Sequence, residues 1–469
     1  MQFSNPELLG MSEPDLGDAR LNRRQVDLLA KLAEHPDSSV PEALANEARC
    51  EAFYRLVRNK RVDMQMMLQP HAQDVAGLVA EHTVVVAHDS TSIRHACARD
   101  ADDVYQLKGG IRGYLAHASL AIVEAEARPV GVLHCESVER SADRSHRRNS
   151  RPNHTANHEG RRWARGVLAS EAELGGRCTT VHVMDSEGDS YSTMMCMTEE
   201  SLDFVVRAQQ TTRLVTDDEG GTEQLRGLLP SIETVARRQV PLSSRKAKKG
   251  NGKSAKGKRN RSSREARTAR ISIGAMPARM NRAQTAPKEW PRWLELNVVR
   301  AWEPNPPAGQ EPVDWVLWTT LPIDTEEQIL RVVDIYRQRW LIEELFKALK
   351  TGCRFEKRRF ESRATSTRAL ALYLPIAAHT LALRTLARTA SKVGAEAVLP
   401  LDHIQALQAS VPGLPRRLTV SAALLAVAKL GGHLKSNGHP GWLVLSRGME
   451  KLHERAAMWR IAREHFANN

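Results

Sequence analysis

Apolar residues in the first part of the chain recur at helical spacing. Between about residues 18 and 68 they fall three or four positions apart, as at Val26, Leu29 and Leu32, and basic side chains fill the positions between them. A helix of this kind packs by its apolar side and presents its basic side to solvent. The pattern therefore predicts a small basic helical domain over residues 1–70.

The pattern changes to that of strands after residue 80. A β-branched run ends at Asp89, and apolar segments typical of strands follow at 114–123, 130–135 and 178–184. A helix is predicted at 163–174, before the last of these strands. Strands interleaved with helices predict an α/β layer built on a central sheet.

The apolar pattern loosens after Arg207 for more than a hundred residues. Strand-like pieces recur in this stretch at 293–302 and 315–320. They predict a mostly β insertion over residues 208–321, within the α/β domain.

Helical spacing returns in the last third of the chain. Pro322 and the acidic residues at 324–327 are typical of a helix start, and periodic apolar residues continue without Pro or Gly up to Gly352, so one long helix is predicted. Further helices are predicted from apolar runs at 369–386, 420–430 and 449–466. We therefore expect an α/β domain over 71–365 and a helical C-terminal domain over 366–469.

The net charge of +13 comes almost entirely from one tract. Residues 243–270 carry twelve Lys or Arg and one Glu, which leaves a net charge of +2 for the rest of the chain. A Gly/Ser/Lys-rich segment of this kind predicts a mobile basic loop, and its natural partner is the phosphate backbone of nucleic acid. A solvated loop without a dedicated partner is the alternative.

The remaining composition excludes several classes of protein. The six cysteines lie far apart, so we expect reduced thiols and no thiolate metal site. No uninterrupted apolar stretch reaches the roughly 20 residues of a membrane span. The first residues have neither the basic nor the apolar region of a secretory signal. We therefore expect a cytoplasmic protein.

Three carboxylates are candidates for a metal site. Asp89 and Asp185 follow apolar strands, and Glu343 lies on the predicted long helix. Carboxylate oxygens suit Mg²⁺ or Mn²⁺, and two such ions can drive in-line attack on a phosphodiester. Each residue has a plainer interpretation, because an Asp after a strand is often a turn or cap residue. Glu187 and Asp189 are alternatives to Asp185 for the same role.

The predicted long helix carries a polar stripe. Tyr336, Arg339, Glu343, Lys347 and Lys350 fall within an arc of roughly 80° when about 100° is allowed per residue. The stripe combines a carboxylate with three cations, so the cations are candidates for binding DNA phosphates beside the reacting bond. A solvated helix face with the same residues is the alternative.

These motifs together resemble one family of enzymes. The spacing Y-x2-R-x3-E-x6-K is met by Tyr336, Arg339, Glu343 and Lys350, and LGDARLNRR, HDSTS, MDSEGD and WVLWTTLP occur in the same order as in that family. The chain is thus similar over nearly its whole length to bacterial cut-and-paste DDE transposases of the insertion-sequence-four family, and most similar to those of the Tn-five type.

The resemblance implies a ribonuclease-H-like catalytic core whose metal-binding triad is Asp89, Asp185 and Glu343. It also implies a helical end-binding domain before the core and a helical dimerisation domain after it. Trp315 matches the aromatic that stacks with a flipped base. The other residues implied to contact DNA are Tyr336, Arg339, Lys347, Lys350 and Arg207, with Arg20, Arg23, Arg24 and Arg58 in the first domain.

One motif departs from the family. The second acidic motif usually reads D-R-E-A-D, whereas this chain has Asp185, Ser186, Glu187, Gly188 and Asp189. The missing Arg predicts the loss of one phosphate contact. Gly188 predicts a looser start of the following helix.

The function that this resemblance implies is DNA transposition. A homodimer would bind the two inverted ends, excise the element by metal-dependent nicking and hairpin formation with two Mg²⁺ ions per site, and join the 3′-hydroxyls to target DNA. Two alternatives stay open, a metal-dependent nuclease without strand transfer and a non-catalytic or inhibitory relative that binds ends without cutting them.

Overall fold

The fold is that of a computed structural model. It describes residues 12–95, 104–107, 112–138, 159–216, 220–242, 244, 264–284, 286–389, 392–434, 436 and 439–467. Most of the basic tract at 243–270 lies outside the described residues, and its last four residues form the start of a strand.

Helices flank a mixed α/β region along the chain. The helices are α1 Ala19–Glu34, α2 Val40–Leu44, α3 Glu47–Arg58, α4 Met64–Leu78, α5 Arg162–Leu174, α6 Tyr191–Glu199, α7 Leu225–Leu228, α8 Glu326–Gln338, α9 Trp340–Lys347, α10 Arg363–Thr389, α11 Leu401–Ser410, α12 Val420–Leu430 and α13 Trp442–Ala467. The strands are β1 Thr83–Arg94, β2 Tyr105–Gln106, β3 Arg112–Val123, β4 Arg128–Val138, β5 Thr179–Met184, β6 Asp203–Arg207, β7 Leu214–Thr216, β8 Thr222–Gln224, β9 Ala236–Leu242, β10 Arg267–Asn281, β11 Trp293–Trp302 and β12 Asp314–Thr319.

The chain forms two compact units. The first comprises residues 1–151, 157–180 and 338–469, and the second comprises residues 152–156 and 181–337. The predicted mixture of strands and helices is confirmed as a mixed α/β structure with helical flanks. The strand predicted at 293–302 is confirmed with the same ends.

An antiparallel sheet forms the centre of the first unit. β3 pairs with β1 on one side and β4 on the other, and Asp89 of β1 lies opposite Ala118 of β3. Val84 and Val86 of β1 pack into a core with Val75 of α4. Consecutive residues of β1 and β3 are buried, which is typical of continuous apolar, β-branched strands that are covered on both faces.

The N-terminal helices form as their apolar spacing predicts. Asp18 caps α1 by accepting a hydrogen bond from the Arg20 backbone N–H, and Leu29 and Leu32 are buried. Val26, which has the same spacing, is half-buried. Gln25 is also buried, because its side-chain amide donates to the Met67 carbonyl at 2.7 Å. The helical and basic character of this segment is therefore confirmed.

The long helix α10 belongs to the core of the first unit. Residues on all its sides are buried, including Ala369, Leu372 and Tyr373, and it packs against β4, α3 and α4. Among the described helices it is long and apolar enough to cross a membrane, but 67% of its most apolar window is buried inside the protein. Such burial is typical of a core helix in a globular protein.

The second unit contains β6 to β12 and β5 from Val181 onward, whereas β2 pairs with β3 in the first unit. The described part of β5 in this unit runs parallel to β6, whereas β6, β12, β11 and β10 pair antiparallel in that order. β10 also pairs with β7 and β9, and β7 with β8. In the described part of residues 208–321, most of the regular structure is β-strand.

Two predicted elements differ from the structure. The predicted strand ending at Asp89 continues to Arg94, so Asp89 lies inside a strand and not at its end. The long helix predicted up to Gly352 is interrupted at Arg339, and its last residues, 348–352, form a π-helical segment.

Candidate active site

Asp89 occupies a half-buried position on β1. The residues before it, Val84 to His88, are buried, which fixes the strand against its neighbours. The Ser90 backbone N–H donates to Asp89 Oδ1 at 2.7 Å. This contact holds one carboxylate oxygen, and the other oxygen faces Arg339.

Arg339 links the two predicted metal ligands of the first unit. Its Nη1 lies 3.4 Å from Asp89 Oδ2, and its Nη2 lies 2.6 Å from Glu343 Oε1. The side chains of Arg339, Asp89 and Glu343 are only 11%, 17% and 29% exposed. Two carboxylates so close together repel each other, and a guanidinium, whose donors are arranged as a fork, offsets the repulsion. The structure thus brings Asp89 and Glu343 together at one cationic group.

The glutamate next to Glu343 serves a different purpose. Glu344 accepts from Lys347 at 2.6 Å and from Arg384 of α10 at 2.7 Å. Burial raises its pKa, but the hydrogen bond from Lys347 and the nearby cations outweigh burial, so the pKa of Glu344 is lowered overall. Glu344 therefore ties α9 to α10 in its ionised form. Sequence analysis missed Arg384, because no motif relates residues 40 positions apart.

The two lysines of the predicted stripe differ in environment. Lys347 is 47% exposed, and its ammonium lies 5.0 Å from the centre of the Trp340 ring. Lys350 is less exposed and donates to the Ser92 carbonyl at 2.7 Å. Burial lowers the pKa of Lys350, and the charge of Glu356 opposes that shift in part. Lys347 is thus the more accessible of the two for a phosphate.

Asp185 lies in the second unit, directly after β5, as predicted. It caps a short 3₁₀ turn by accepting from the Glu187 backbone N–H at 2.8 Å, and its side chain is half-buried. Gly188, which is predicted to loosen the start of the following helix, is buried in this turn. A Cβ at Gly188 would lie 2.7 Å from the Cβ of Met184, so glycine permits the close packing of the turn on β5.

The two alternatives to Asp185 have other environments. Asp189 has a fully buried side chain that pairs with Arg213 at 2.7 Å and accepts from the backbone N–H groups of Gln209 and Gln210. Its oxygens are committed to holding the 209–213 turn. Glu187 is exposed. Asp185 is therefore the acid of this motif that is half-buried at a strand end.

An aromatic pair lies on the sheet of the second unit. Trp315 of β12 is half-buried, and its ring centre lies 5.3 Å from that of the buried Tyr336 in an edge-to-face arrangement. Arg207 lies opposite Leu317, two residues from Trp315, so Arg207 and Trp315 share one face of the sheet. The structure thus places Trp315, Tyr336 and Arg207 together within this unit.

The predicted DNA-contacting arginines of the first helices are mostly accessible. Arg20 and Arg23 are exposed on α1, and Arg24 is half-buried. Arg58, at the end of α3, is exposed and forms an ion pair with Glu361. Exposed arginines on neighbouring helices such as α1 and α3 are typical of a surface that binds the DNA backbone.

The donor chemistry of the first unit fits a divalent cation. Asp89 and Glu343 provide carboxylate oxygens, which Mg²⁺ and Mn²⁺ prefer, and both already contact a cationic group. Within either unit alone, the described residues form no group of three or more His, Cys, Asp or Glu side chains able to hold a metal ion.

Exposed basic helices and a carboxylate pair held by a guanidinium, within one unit, are typical of a class of protein, the enzymes that act on nucleic-acid phosphates. Comparison with family models specifies it further. Residues 10–62 match the family described as Transposase DNA-binding, and residues 67–381 match the family described as Transposase DDE domain. Since the second match covers more than half of the chain, the protein belongs to the DDE transposases. It therefore binds DNA, and domains of this family use divalent metal ions.

Proposed function

We propose that this protein is a cut-and-paste transposase of the insertion-sequence-four family, close to the Tn-five type, with a ribonuclease-H-like core. The N-terminal helices would bind the inverted ends of the transposon. A homodimer assembled through the C-terminal helices would hold both of these DNA ends. The observation that carries the proposal is the pairing of Asp89 and Glu343 at Arg339 inside a chain that belongs to the DDE transposases. As a bacterial protein that acts on DNA, it would work in the cytoplasm.

Asp89, Asp185 and Glu343 are the proposed metal ligands. When bound, two Mg²⁺ ions, or Mn²⁺ in their place, would activate the attacking water or 3′-hydroxyl and stabilise the leaving oxygen. The protein contributes the ligand positions. Asp89 is held by the Ser90 N–H, Glu343 by a helix that Glu344 ties to α10, and Asp185 by its cap on the turn after β5.

The cations around these ligands would bind DNA. Arg339 would exchange its carboxylate partners for a phosphate near the scissile bond, and Lys347 and Lys350 would bind neighbouring phosphates. Trp315, supported by Tyr336, would hold a base extruded when a hairpin forms, because a hairpin forces a tight reversal of the backbone. Target joining would reuse the same site with the 3′-hydroxyl as nucleophile.

The first prediction concerns Glu343→Gln. The purified protein is incubated with Mg²⁺ or a chelator and a duplex carrying the gene's own flanking inverted ends, and products are separated on native and denaturing gels. We expect the wild type to produce hairpin-ended excision products that need Mg²⁺. Glu343→Gln should lose at least about a hundredfold in cleavage while DNA binding persists, because the amide removes a ligand charge. Glu327→Gln, at an exposed glutamate of α8, is the matched control and should retain cleavage.

Other outcomes would favour the alternatives. Metal-dependent nicking without hairpins or joined products would indicate a nuclease without strand transfer. End binding without cleavage in the wild type would indicate a non-catalytic relative. Equal loss of cleavage in Glu343→Gln and Glu327→Gln would contradict the assignment of Glu343.

A further inference from the structure

A buried polar layer lies behind Asp89. Side chains alternate along a strand, so His88 and Ser90, the neighbours of Asp89 on β1, point to the opposite face of the sheet. His88 is fully buried there and bonds Ser119 of β3 at 2.9 Å. Helix α5 contacts both strands. His88 and Ser90 belong to the HDSTS motif, whereas Ser119, His117 and Arg162 lie outside the motifs of the family resemblance.

One hydrogen-bond chain crosses the layer. Arg162, at the start of α5, has its Nε 2.9 Å from Ser90 Oγ, and Ser90 Oγ lies 2.9 Å from His117 Nδ1. An arginine nitrogen can only donate, so the hydroxyl accepts from Arg162 and gives its single proton to His117. His117 must then be neutral. Burial lowers its pKa well below the ordinary value, and the charge of Arg162 lowers it further.

The hydrogen-bond chain reaches the Asp89 carboxylate through Ser90. The Ser90 backbone N–H donates to Asp89 Oδ1 at 2.7 Å, while the Ser90 side chain is fixed from behind. Arg162 is itself buried, and its guanidinium lies 5.1 Å from the centre of the Trp163 ring. A Cβ at Gly166 would lie 2.9 Å from His117 Nε2, so the close approach of α5 depends on that glycine.

We propose that Arg162 is a positioning residue for Asp89, which it orients through the side chain and backbone of Ser90. The inference rests on the proposed function only in taking Asp89 as a metal ligand. A fixed carboxylate binds a divalent ion without first being ordered, and loss of groups that orient a ligand weakens metal binding by about 10- to 100-fold in known sites.

Ser90→Ala, Ser90→Thr and Arg162→Gln test the proposal in the full-length protein. Arg165→Gln is the matched control, because Arg165 lies on the same helix but pairs with Glu136. Mn²⁺ binding is measured by electron paramagnetic resonance, and the Mg²⁺ concentration for half-maximal nicking is measured on the end duplex. Circular dichroism melts report folding.

We expect Ser90→Ala and Arg162→Gln to weaken Mn²⁺ binding about tenfold and to raise the half-maximal Mg²⁺ concentration by a similar factor. Ser90→Thr keeps the hydroxyl and should stay within about twofold of wild type, as should Arg165→Gln. DNA binding should not change in any of them. Rescue by Thr separates positioning from a general loss of stability.

The proposal is overturned if Ser90→Ala and Ser90→Thr bind Mn²⁺ alike, if Arg162→Gln matches Arg165→Gln, or if the wild type binds no Mn²⁺ and cuts no DNA. A wild type that binds Mn²⁺ but does not cut would contradict the transposase function alone. The Mn²⁺ comparison among the variants would then still decide the role of Arg162.

Discussion

The charged side chains around Glu343 show how neighbouring residues of one type take different roles. Glu343 and Glu344 are adjacent, yet one faces Arg339 beside Asp89 and the other joins α9 to α10. Asp185 and Asp189 differ in the same way, since of the two only Asp189 has a fully buried side chain that pairs with an arginine. Removing one partner of such a buried pair costs about 3–5 kcal/mol. Asp189 is therefore a structural acid.

Trp315→Ala is a second functional prediction. We expect hairpin formation to fall at least about tenfold while first-strand nicking stays near wild type, because base stacking contributes about 1–3 kcal/mol and is needed only once the base is extruded. Nicked and hairpin products are quantified on denaturing gels from one time course.

Trp302→Ala provides the control for Trp315→Ala. Trp302 is also a half-buried tryptophan of this sheet, on β11, and it packs against Arg300. Trp302→Ala should leave first-strand nicking and hairpin formation unchanged, and its effect should be confined to the stability of the protein. Equal loss of DNA binding and nicking in Trp315→Ala would show that Trp315 serves only the core.

The interruption between α8 and α9 shows what periodicity leaves undetermined. Residues 326–351 contain neither Pro nor Gly, so their apolar pattern predicts one continuous helix through Arg339. In the structure the Ile342 N–H bonds the Arg339 carbonyl, a tighter 3₁₀-type contact, and Gln338 donates to the Glu124 carbonyl of the first unit. The π-helical turn that follows carries Lys350, which bonds Ser92. Bonds to distant residues therefore decide where the helix breaks.

The contact between α11 and α13 gives a prediction about pH. Asp402 accepts from His403, and His403 Nε2 lies 2.9 Å from His453 Nδ1. Burial, with the charges of His403, His35 and His379, lowers the pKa of His453 to about 3, although Asp402 opposes the shift. As the pH falls, His453 is therefore protonated in the unfolded chain at a higher pH than in the folded protein. The free energy of unfolding thus falls as pH drops below about 6.5.

His453→Gln should reduce that loss of stability. One histidine contributes up to about 1.4 kcal/mol per pH unit between its unfolded and folded pKa values. Urea unfolding at pH 7 and pH 5 measures the difference for wild type, His453→Gln and the control His465→Gln, whose histidine is exposed on the same helix. Parallel losses in all three proteins would contradict the prediction.

The first unit depends on α10 more than the position of this helix in the sequence suggests. This helix lies between the motif at Tyr336 to Lys350 and the C-terminal helices, yet it packs on α3, α4 and β4 from the first part of the chain. Its last turns, with Leu383 and Ala387, enter the core formed by α11, α12 and α13. α10 thus connects two apolar clusters within the first unit.

Two truncations test this role of α10. A fragment of residues 1–389 should retain a cooperative melt, because it keeps α10 with its packing on α3, α4 and β4, although it loses the contacts made by α11, α12 and α13. A fragment of residues 1–365 should lack one, because several fully buried side chains lose their partners at about 2–5 kcal/mol each. Circular dichroism melts and limited proteolysis compare the fragments with the full chain. A cooperative melt of the shorter fragment at the full-length temperature would refute the prediction.

The sequence by itself determined the family, the type and place of most helices and strands, and the residues able to carry the chemistry. Apolar periodicity depends on neighbours a few positions away, and the motif around Tyr336 to Lys350 is continuous, so both are readable without a fold. Only the tertiary structure decided that Asp89 lies inside a strand, that Asp189 is a buried structural acid, and that Arg339 joins Asp89 to Glu343. Those outcomes depend on contacts such as that between Arg339 and Asp89, 250 residues apart, which no local pattern encodes.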